Sequence, residues 1–437
     1  MSQLNKNTLA PLQKSDRIES LDIMRGIVLC GILLMNINGF GLAHAYNDPT
    51  VSGGATSWNL VTWITTNLFF EGTMRALFSL LFGVGMFFLL DRLEKNGAGI
   101  EAANIYFRRM LWLLVFGLIH GYLLLWTGEI LFSYALMGLL VFSFRNMSPK
   151  KLIATAVVLF SIGAFWSYCD YKKDIKLVAD VALAKEHTIE GKTLSIDLLE
   201  ASQKWQKREW EYSPEGVQYY NENMRKNYVE VVAFLAPINR FYDKFFTYRY
   251  DLWDVLSMML LGIALYKLNI LTAEKSYRFY GLMALIGYGI GLSVNYFEIH
   301  SIYSNNFSYL SFSKANITYD LGRVPVAMGH IGLIMILCKL PILKWLKFRI
   351  ASIGKMALSN YIMHSIICMI VFTGVGFGLF GKLQRHELLY VVISIWIFQL
   401  IMSPIWLKYY HFGPMEWLWR TLSYQKKQPF KINKEIL

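Results

Sequence analysis

Charged residues and cysteines are scarce in this sequence. Aspartate, glutamate, lysine and arginine make up 17% of the 437 residues, below the roughly 25% that is usual for soluble domains. The four cysteines lack the spacing of a metal site, and three of them lie inside hydrophobic runs. The sequence therefore predicts neither a disulfide framework nor a bound metal. Apolar residues dominate, with 55% of the chain hydrophobic and 16% aromatic, which indicates a membrane protein.

The most informative hydrophobic run is residues 111–144, which carries one histidine, His120, one acid, Glu129, and no base. A helix needs about 20 apolar residues to cross a hydrocarbon core of about 30 Å. The run therefore predicts two short spans joined at Thr127 and Gly128. Counting helical rise from residue 110 places His120 roughly 15 Å deep, near the membrane midplane. Ionisable groups in such positions are functional candidates.

Ten hydrophobic segments have the length and composition of membrane-spanning helices. They predict an all-α membrane protein, a polytopic bundle of about ten transmembrane helices. The predicted spans are 20–41, 73–91, 110–126, 129–144, 151–169, 251–268, 278–299, 323–340, 354–376 and 388–409. A further segment, 58–70, is too short for an eleventh span, and we expect it to lie in the interface or to re-enter the membrane.

The formal charge of +13 is distributed in short segments between the hydrophobic runs, and no nucleic-acid motif accompanies it. Bases are concentrated in short cytoplasmic loops of membrane proteins, so the pattern predicts that both termini are cytoplasmic. The polar segment 170–250 is then an extracytoplasmic helical insertion. It separates two membrane halves of five spans each, 1–169 and 251–410, and a basic cytoplasmic tail with an interfacial helix follows at 411–437.

Other predicted spans carry polar groups at depths comparable to that of His120. Asn36 lies about 22 Å along the first span, in its outer half. Asn360 and His364 are four residues apart and share one face of the ninth span. Trp126 and Glu129 lie at the outer turn of the 111–144 hairpin. Each of these side chains either serves a substrate or joins neighbouring helices, and both interpretations stay open.

His120 has its own structural alternative. It is flanked by Gly117 and Gly121, a spacing that permits close approach of two helices. His120 is therefore either a catalytic group or a hydrogen-bonding group at a helix contact.

Charged residues gather at the predicted cytoplasmic ends of the spans. They include Asp22, Arg25, Lys347, Arg349 and Arg420. Guanidinium and ammonium groups bind phosphate oxygens, so this face is predicted to hold the phosphates of a nucleotide-bearing cofactor. The alternatives are a structural Asp22–Arg25 pair and a tail helix, stabilised by Glu416 and Arg420 four residues apart, that anchors the chain to the membrane surface.

Five blocks of sequence make the chain resemble a known family. They are LDIMRGIVLCGILLMNI (21–37), FSLLFGVG (78–85), GLIHGYLLLWTGEIL (117–131), KMALSNYIMHSII (355–367) and GPMEWLWR (413–420). In this order the blocks resemble the YeiB family of bacterial inner-membrane proteins, whose domain has no assigned function. The resemblance covers nearly the whole chain and implies a location in the bacterial cytoplasmic membrane. It departs at His364, where the family pattern has glutamine.

The first block, with Asp22, Arg25 and Asn36, is also similar to the opening helix of heparan-α-glucosaminide N-acetyltransferases. That similarity implies a transmembrane acyltransferase, which moves an acyl group from cytoplasmic acyl-CoA to an extracytoplasmic glycan or lipid acceptor. A histidine is the expected catalytic group. In those acetyltransferases it follows the first span, where this chain has His44 in a poorly matching context, whereas His120 lies inside the YeiB-like block GLIHG.

We therefore expect an acyltransferase in which His120 is the general base for the acceptor or, as the alternative, a transient acyl carrier. Glu129 or Asn36 is expected to orient it or to bind the acceptor. Acyl-CoA is the expected cofactor, held by the five charged residues of the cytoplasmic ends. The residues expected to bind the substrate are Trp126, Asn360, Tyr361 and His364.

A transporter or flippase without covalent chemistry is the alternative function. Ten spans and intramembrane polar groups suit substrate passage equally well, although no inverted repeat of the kind found in many transporters is apparent. A scaffold or sensor built around 170–250 ranks third. Membrane lipids and the acceptor are the expected partners, and self-association is left open.

Overall fold

The structure, a computed structural model, describes residues 18–432, and all regular elements in that range are helical. The predicted cytoplasmic termini fall on residues 1–17 and 433–437, outside the described residues. Residues 18–432 contain sixteen α-helices, and a π-helical segment, Tyr242–Asp251, precedes the tenth of them. The α-helices are α1 Glu19–Gly41, α2 Ser57–Phe69, α3 Thr73–Lys95, α4 Ile100–Tyr122, α5 Leu131–Phe144, α6 Pro149–Ile189, α7 Ile196–Glu211, α8 Pro214–Met224, α9 Tyr228–Phe241, α10 Leu252–Lys267, α11 Tyr277–Ser304, α12 Tyr309–Lys339, α13 Lys344–Lys355, α14 Ala357–Phe372, α15 Leu388–Tyr409 and α16 Pro414–Tyr424.

Seven helical stretches within the described range are long and apolar enough to cross a membrane, or up to eight if the bent pair α13 and α14 counts as one span. Each of the ten predicted spans falls on a helix, but α5 has 14 residues and α10 has 16. At 1.5 Å per residue these two helices reach only about 21–24 Å. The all-helical membrane architecture is confirmed, whereas length alone supports fewer than ten full spans.

The helix α4 starts well before the predicted span. It begins at Ile100 rather than at residue 110 and ends at Tyr122, because the amphipathic residues that precede the hydrophobic run also join the helix. His120 therefore lies in the last turn of α4 and not near its middle. The segment 58–70 forms α2, which three residues connect to α3, and together they make an apolar stretch of 39 residues.

Small residues let α3 and α10 pack closely at the centre of the bundle. A Cβ atom at Gly83 would lie 2.6 Å from the carbonyl oxygen of Met259, and one at Gly262 would collide with the carbonyl oxygen of Leu80. Glycine allows such close approach because it has no side chain. The two helices belong to the largest cluster of buried apolar residues.

Charged groups inside the bundle are paired with one another. Arg75 on α3 forms ion pairs with Asp251, at 3.2 Å between Nη1 and Oδ1, and with Asp254 on α10. Arg323 on α12 is 1% exposed and pairs with Asp254 and Asp320. Buried charges are tolerated when they are paired in this way.

The predicted span boundary at Arg323 is wrong, since α12 begins at Tyr309.

The polar segment 170–250 is helical and lies against the end of α4 that carries His120. The side chain of Asn239 on α9 donates to the carbonyl oxygen of Gly121 at 2.8 Å. The hydroxyl of Tyr228 donates to the carbonyl oxygen of Leu123 at 2.9 Å. These bonds satisfy carbonyl groups that the end of a helix leaves unpaired.

The packing of α3 on α10 can be tested with Gly262→Ala. The added methyl group has no room against Leu80, so we expect the free energy of unfolding to fall by about 1–3 kcal/mol. Gly289→Ala on α11 is the control, because no atom lies within 4 Å of a Cβ there. Thermal or denaturant unfolding in detergent measures both. Equal loss of stability in the two variants would contradict the close packing at Gly262.

Candidate active site

A cavity of about 230 Å³ opens at the end of the bundle that the charge pattern assigns to the cytoplasm. Its walls are largely apolar and come from α3, α4, α5, α14 and α16. They include Phe78, Phe82, Met86, Leu89, Leu113, Leu131, Tyr134, Leu358, Tyr361 and Trp419. Five cationic side chains also line this inner cavity, and these are Arg25, Arg92, Arg109, Lys355 and Arg420. The inner cavity therefore combines an apolar wall with a high density of positive charge.

The amphipathic tail helix α16 forms one wall of the inner cavity and holds Arg109 in place. The guanidinium of Arg109 lies over the ring of Trp419, 3.6 Å from its centroid, and the indole N–H of Trp419 donates to the carbonyl oxygen of Arg109 at 2.8 Å. Stacking of this kind is typical of arginine at binding sites. A second base, Arg25, is held by an ion pair with Asp22, with 2.9 Å between Nη1 and Oδ1.

Two predicted cofactor-binding residues lie elsewhere. Lys347 donates to the carbonyl oxygen of Leu340 at 2.5 Å, and Arg349 donates to that of Leu400 at 2.8 Å. Neither lines the inner cavity, so these bases join α13 to its neighbours. Arg92, Arg109 and Lys355 were not predicted as cofactor-binding residues, because the direction in which each side chain points depends on helix rotation.

Glu416 on α16 holds the start of α14, which carries Tyr361. Its carboxylate accepts hydrogen bonds from the main-chain N–H groups of Leu358, at 2.7 Å, and Ser359, at 3.1 Å. Burial raises the pKa of Glu416, and the hydrogen bonds from Ser359 lower it in part. Glu416 thus caps a second helix, α14, a role that the sequence did not predict.

His120 is fully buried and contacts two residues of α14 and one residue just before α5. Its Nε2 lies 2.6 Å from the hydroxyl oxygen of Ser365 on α14. Its Nδ1 lies 3.7 Å from the carboxylate of Glu129, just before α5. Its ring packs edge-on against Tyr361, with 5.0 Å between centroids. The predicted pair of His120 and Glu129 is therefore brought together, with Ser365 as a third polar group that the sequence reasoning missed.

The carboxylate of Glu129 is held by the start of α5. It accepts hydrogen bonds from the main-chain N–H groups of Leu131 and Phe132, the latter at 2.9 Å. These N–H groups and the helix dipole favour a negative charge at this position. Gly117 allows the close approach, because a Cβ there would collide with the N–H group of Phe132. Gly117 beside His120 therefore also permits the close contact between α4 and α5.

The pair of His120 and Ser365 lies between two cavities along α14. Tyr361, which lines the inner cavity, precedes Ser365 by one turn, or about 6 Å. Cys368, one turn beyond Ser365, lines a second and much smaller cavity of about 10 Å³ together with Phe40 and Trp126. We call this second one the outer cavity. Trp126 stacks on Phe40 with 3.7 Å between ring centroids.

The remaining predicted site residues face other neighbours. The Nδ2 of Asn360 donates to Ser403 on α15 at 3.1 Å, and Nε2 of His364 lies 2.8 Å from the side-chain nitrogen of Gln399. Asn360 and His364 do share one face, and that face joins α14 to α15. Asn36 is half-buried on α1 and lines neither cavity.

The fold and its paired cavities define a polytopic α-helical membrane protein. Its family is given by comparison with known proteins. Over 418 residues it is 30% identical to the uncharacterized protein YeiB of Escherichia coli (strain K12), which covers 95% of this chain and 98% of that protein. The chain belongs to the YeiB family, as its sequence blocks predict.

Further comparisons agree with this family. The chain is 28% identical to the uncharacterized protein YxaH of Bacillus subtilis (strain 168) over 437 residues, which is 97% of this chain and 98% of that protein. Residues 265–426 match the family model described as a protein of unknown function, DUF418. No solved structure matches the chain.

Glu129→Ala tests the structural role of this carboxylate at the start of α5. We expect the free energy of unfolding in detergent to fall by about 0.5–2 kcal/mol, the usual range for loss of a helix cap. Glu129→Gln, which keeps one acceptor oxygen, is expected to lose less. An Ala variant as stable as the wild type would show that these hydrogen bonds do not hold α5.

Proposed function

We propose that this protein is a membrane-embedded acyltransferase that transfers an acyl group from cytoplasmic acyl-CoA to an extracytoplasmic glycan or lipid acceptor. One observation carries the proposal: the inner cavity runs from five cationic side chains to Tyr361, whose ring packs on His120. A donor with phosphates at one end and an acyl thioester at the other matches both the charge and the apolar wall.

The cationic residues of the inner cavity would bind the donor phosphates. Arg109 and Arg25 are suited to this role because their guanidinium groups are already oriented, by Trp419 and by Asp22. Arginine forms paired hydrogen bonds with phosphate oxygens. The acyl chain would extend along Phe78 and the other apolar side chains toward Tyr361. Lys347 and Arg349 have no role in this proposal.

His120 would act as the general base. Glu129, 3.7 Å from Nδ1, would stabilise the imidazolium that forms when Nε2 takes a proton. The acceptor would enter from the side of the outer cavity, where Trp126 offers an apolar ring face. Asn36 has no role in this proposal. Asn360 and His364 support α14 by joining it to α15.

This proposal includes the topology that the charge pattern predicts. Ten membrane-embedded helices with both termini in the cytoplasm place the mouth of the inner cavity on the cytoplasmic side of a bacterial inner membrane. Arg92, Arg109 and Lys355, which line that cavity, belong to the segments that the positive-inside rule assigns to the cytoplasm. The segment 170–250 then covers the outer end of α4.

His120→Ala tests the catalytic part of the proposal. Loss of a general base lowers kcat by about 10²–10⁴-fold, while the affinity for acyl-CoA is expected to stay within about twofold of the wild type because His120 does not line the inner cavity. Release of free CoA by purified protein in nanodiscs measures the rate. His300→Ala, at an exposed site, is the control. Unchanged turnover in His120→Ala would remove His120 from the mechanism.

Arg109→Gln tests the binding part. A hydrogen bond to a charged group contributes about 1.5–3 kcal/mol, so the Kd for acyl-CoA is expected to rise by at least about tenfold. Lys151→Gln removes the same charge from an exposed position on a predicted cytoplasmic segment and should leave the Kd unchanged. Isothermal titration of both variants measures this. An equal effect of the two substitutions would point to general electrostatics and not to a site at Arg109.

A transporter or flippase is the second candidate, favoured by the presence of cavities on both sides of His120 and Ser365. Uptake of a substrate into proteoliposomes that lack any acyl donor would favour this candidate over the enzyme.

A further inference from the structure

We propose that Ser365 is the nucleophile of this site, activated by His120 and Glu129, and that it carries the acyl group as an ester between donor and acceptor. This inference rests on the proposed function, since it takes its acyl donor from there. In this mechanism His120 acts as the base twice. It first takes the proton of Ser365 and later takes the proton of the acceptor.

The arrangement of the three side chains supports this assignment. A serine that is hydrogen-bonded to one imidazole nitrogen, with a carboxylate at the other, is the arrangement by which enzymes activate a hydroxyl group. Here Ser365 lies 2.6 Å from Nε2 of His120, and Glu129 lies 3.7 Å from Nδ1. The distance to Glu129 is longer than a hydrogen bond, as is common in a catalytic site without its substrate.

Ser365 lacks the local hydrogen bond that several other helical serines of this protein make. A serine inside a helix commonly donates to the carbonyl oxygen four residues earlier. Ser257, Ser352 and Ser394 do so, bonding Trp253, Phe348 and Tyr390 respectively. The hydroxyl of Ser365 is fully buried and has the imidazole of His120 as its partner instead.

The position of Ser365 suits an acyl carrier. It lies one turn from Tyr361 in the wall of the inner cavity and one turn from Cys368 in the wall of the outer cavity. An acyl ester on Ser365 would leave its donor on one side and meet its acceptor on the other, so the two substrates would not have to meet. Two buried donors, the indole N–H of Trp126 in the wall of the outer cavity and the hydroxyl of Tyr361 in that of the inner cavity, would be available to stabilise an oxyanion.

The first half-reaction forms the ester. The oxygen of Ser365 attacks the thioester carbonyl carbon, and its proton passes to Nε2 of His120. The carbon–sulfur bond breaks, and the leaving thiolate takes the proton from His120, which gives free CoA and acylated Ser365. Glu129 stabilises the imidazolium during this exchange.

The second half-reaction returns the site to its starting state. A hydroxyl or amino group of the acceptor attacks the ester carbonyl carbon and passes its proton to His120. The bond between that carbon and the oxygen of Ser365 breaks, and His120 returns the proton to Ser365. The acceptor leaves with the acyl group, and no oxidant or further reactant is needed.

The test traps the ester on the full-length protein in nanodiscs. The protein is mixed with a series of acyl-CoA probes from acetyl-CoA to palmitoyl-CoA without acceptor, quenched in acid and mapped by peptide mass spectrometry. We expect a burst of free CoA and a matching acyl mass on the peptide containing Ser365. Ser365→Ala should abolish the burst and the adduct and lower turnover by at least about a hundredfold, with the Kd for acyl-CoA unchanged.

Two further variants keep the test independent of folding. Ser365→Cys retains a nucleophile and is expected to form a thioester adduct that is more labile to hydroxylamine than the serine ester. Ser257→Ala removes another fully buried serine hydroxyl, on α10, and should keep the burst and the adduct on Ser365.

The outcomes separate this inference from the proposed function. If the wild type turns over an acyl-CoA probe but shows no adduct on Ser365, or carries the acyl group on His120, Ser365 is not the carrier and the acyltransferase proposal stands. Full turnover by Ser365→Ala overturns the inference in the same way. If the wild type neither binds nor cleaves any probe, the proposed function fails and the inference fails with it.

Discussion

The buried carboxylate of Glu129 is the constraint on which this site depends. A charge removed from water must be paired or hydrogen-bonded, since its desolvation is costly. Glu129 meets this requirement with the first N–H groups of α5, and the imidazole of His120 lies 3.7 Å from the same carboxylate. The contact with His120 requires α4 and the start of α5 to lie close together, which Gly117 allows. One arrangement therefore accounts for three features: the close contact of α4 with α5, the direction of the His120 side chain and the position of Ser365 on α14.

The inner cavity follows from a second constraint, at the cytoplasmic end of the same helices. The sharp bend of 81° between α13 and α14 leaves the start of α14 inside the protein, where its N–H groups need acceptors. Glu416 supplies them and so ties α16 to α14. The same helix presents Trp419 to Arg109 on α4. The tail helix thus closes one wall of the cavity and orients one of its bases, so residues far apart in sequence form a continuous surface.

Hydropathy and spacing predicted much of this architecture because they report directly on burial in lipid. Every predicted span falls on a helix. His120 and Glu129, two of the three polar groups at the centre of the site, were identified because they occur together in one predicted hairpin. The position of His120 within α4, in its last turn, was not predicted, because hydropathy marks where a helix becomes apolar and not where it begins. The rotation of each helix about its axis also could not be predicted from the sequence. For this reason Arg109 was not distinguished from Lys347, and Ser365, a common residue in an apolar run, gave no signal.

The complete burial of His120 and Ser365 has a consequence for the membrane itself. A protein with water-accessible spaces on both faces risks conducting protons or ions if those spaces join. Here the two cavities are separated by a layer in which the histidine and the serine are each 0% exposed and pack among Tyr361 and Glu129. In the proposed reaction the acyl group passes from the donor to Ser365 and from Ser365 to the acceptor, so no open channel is needed. The same layer that brings the polar groups together would therefore also act as a permeability barrier between the two cavities.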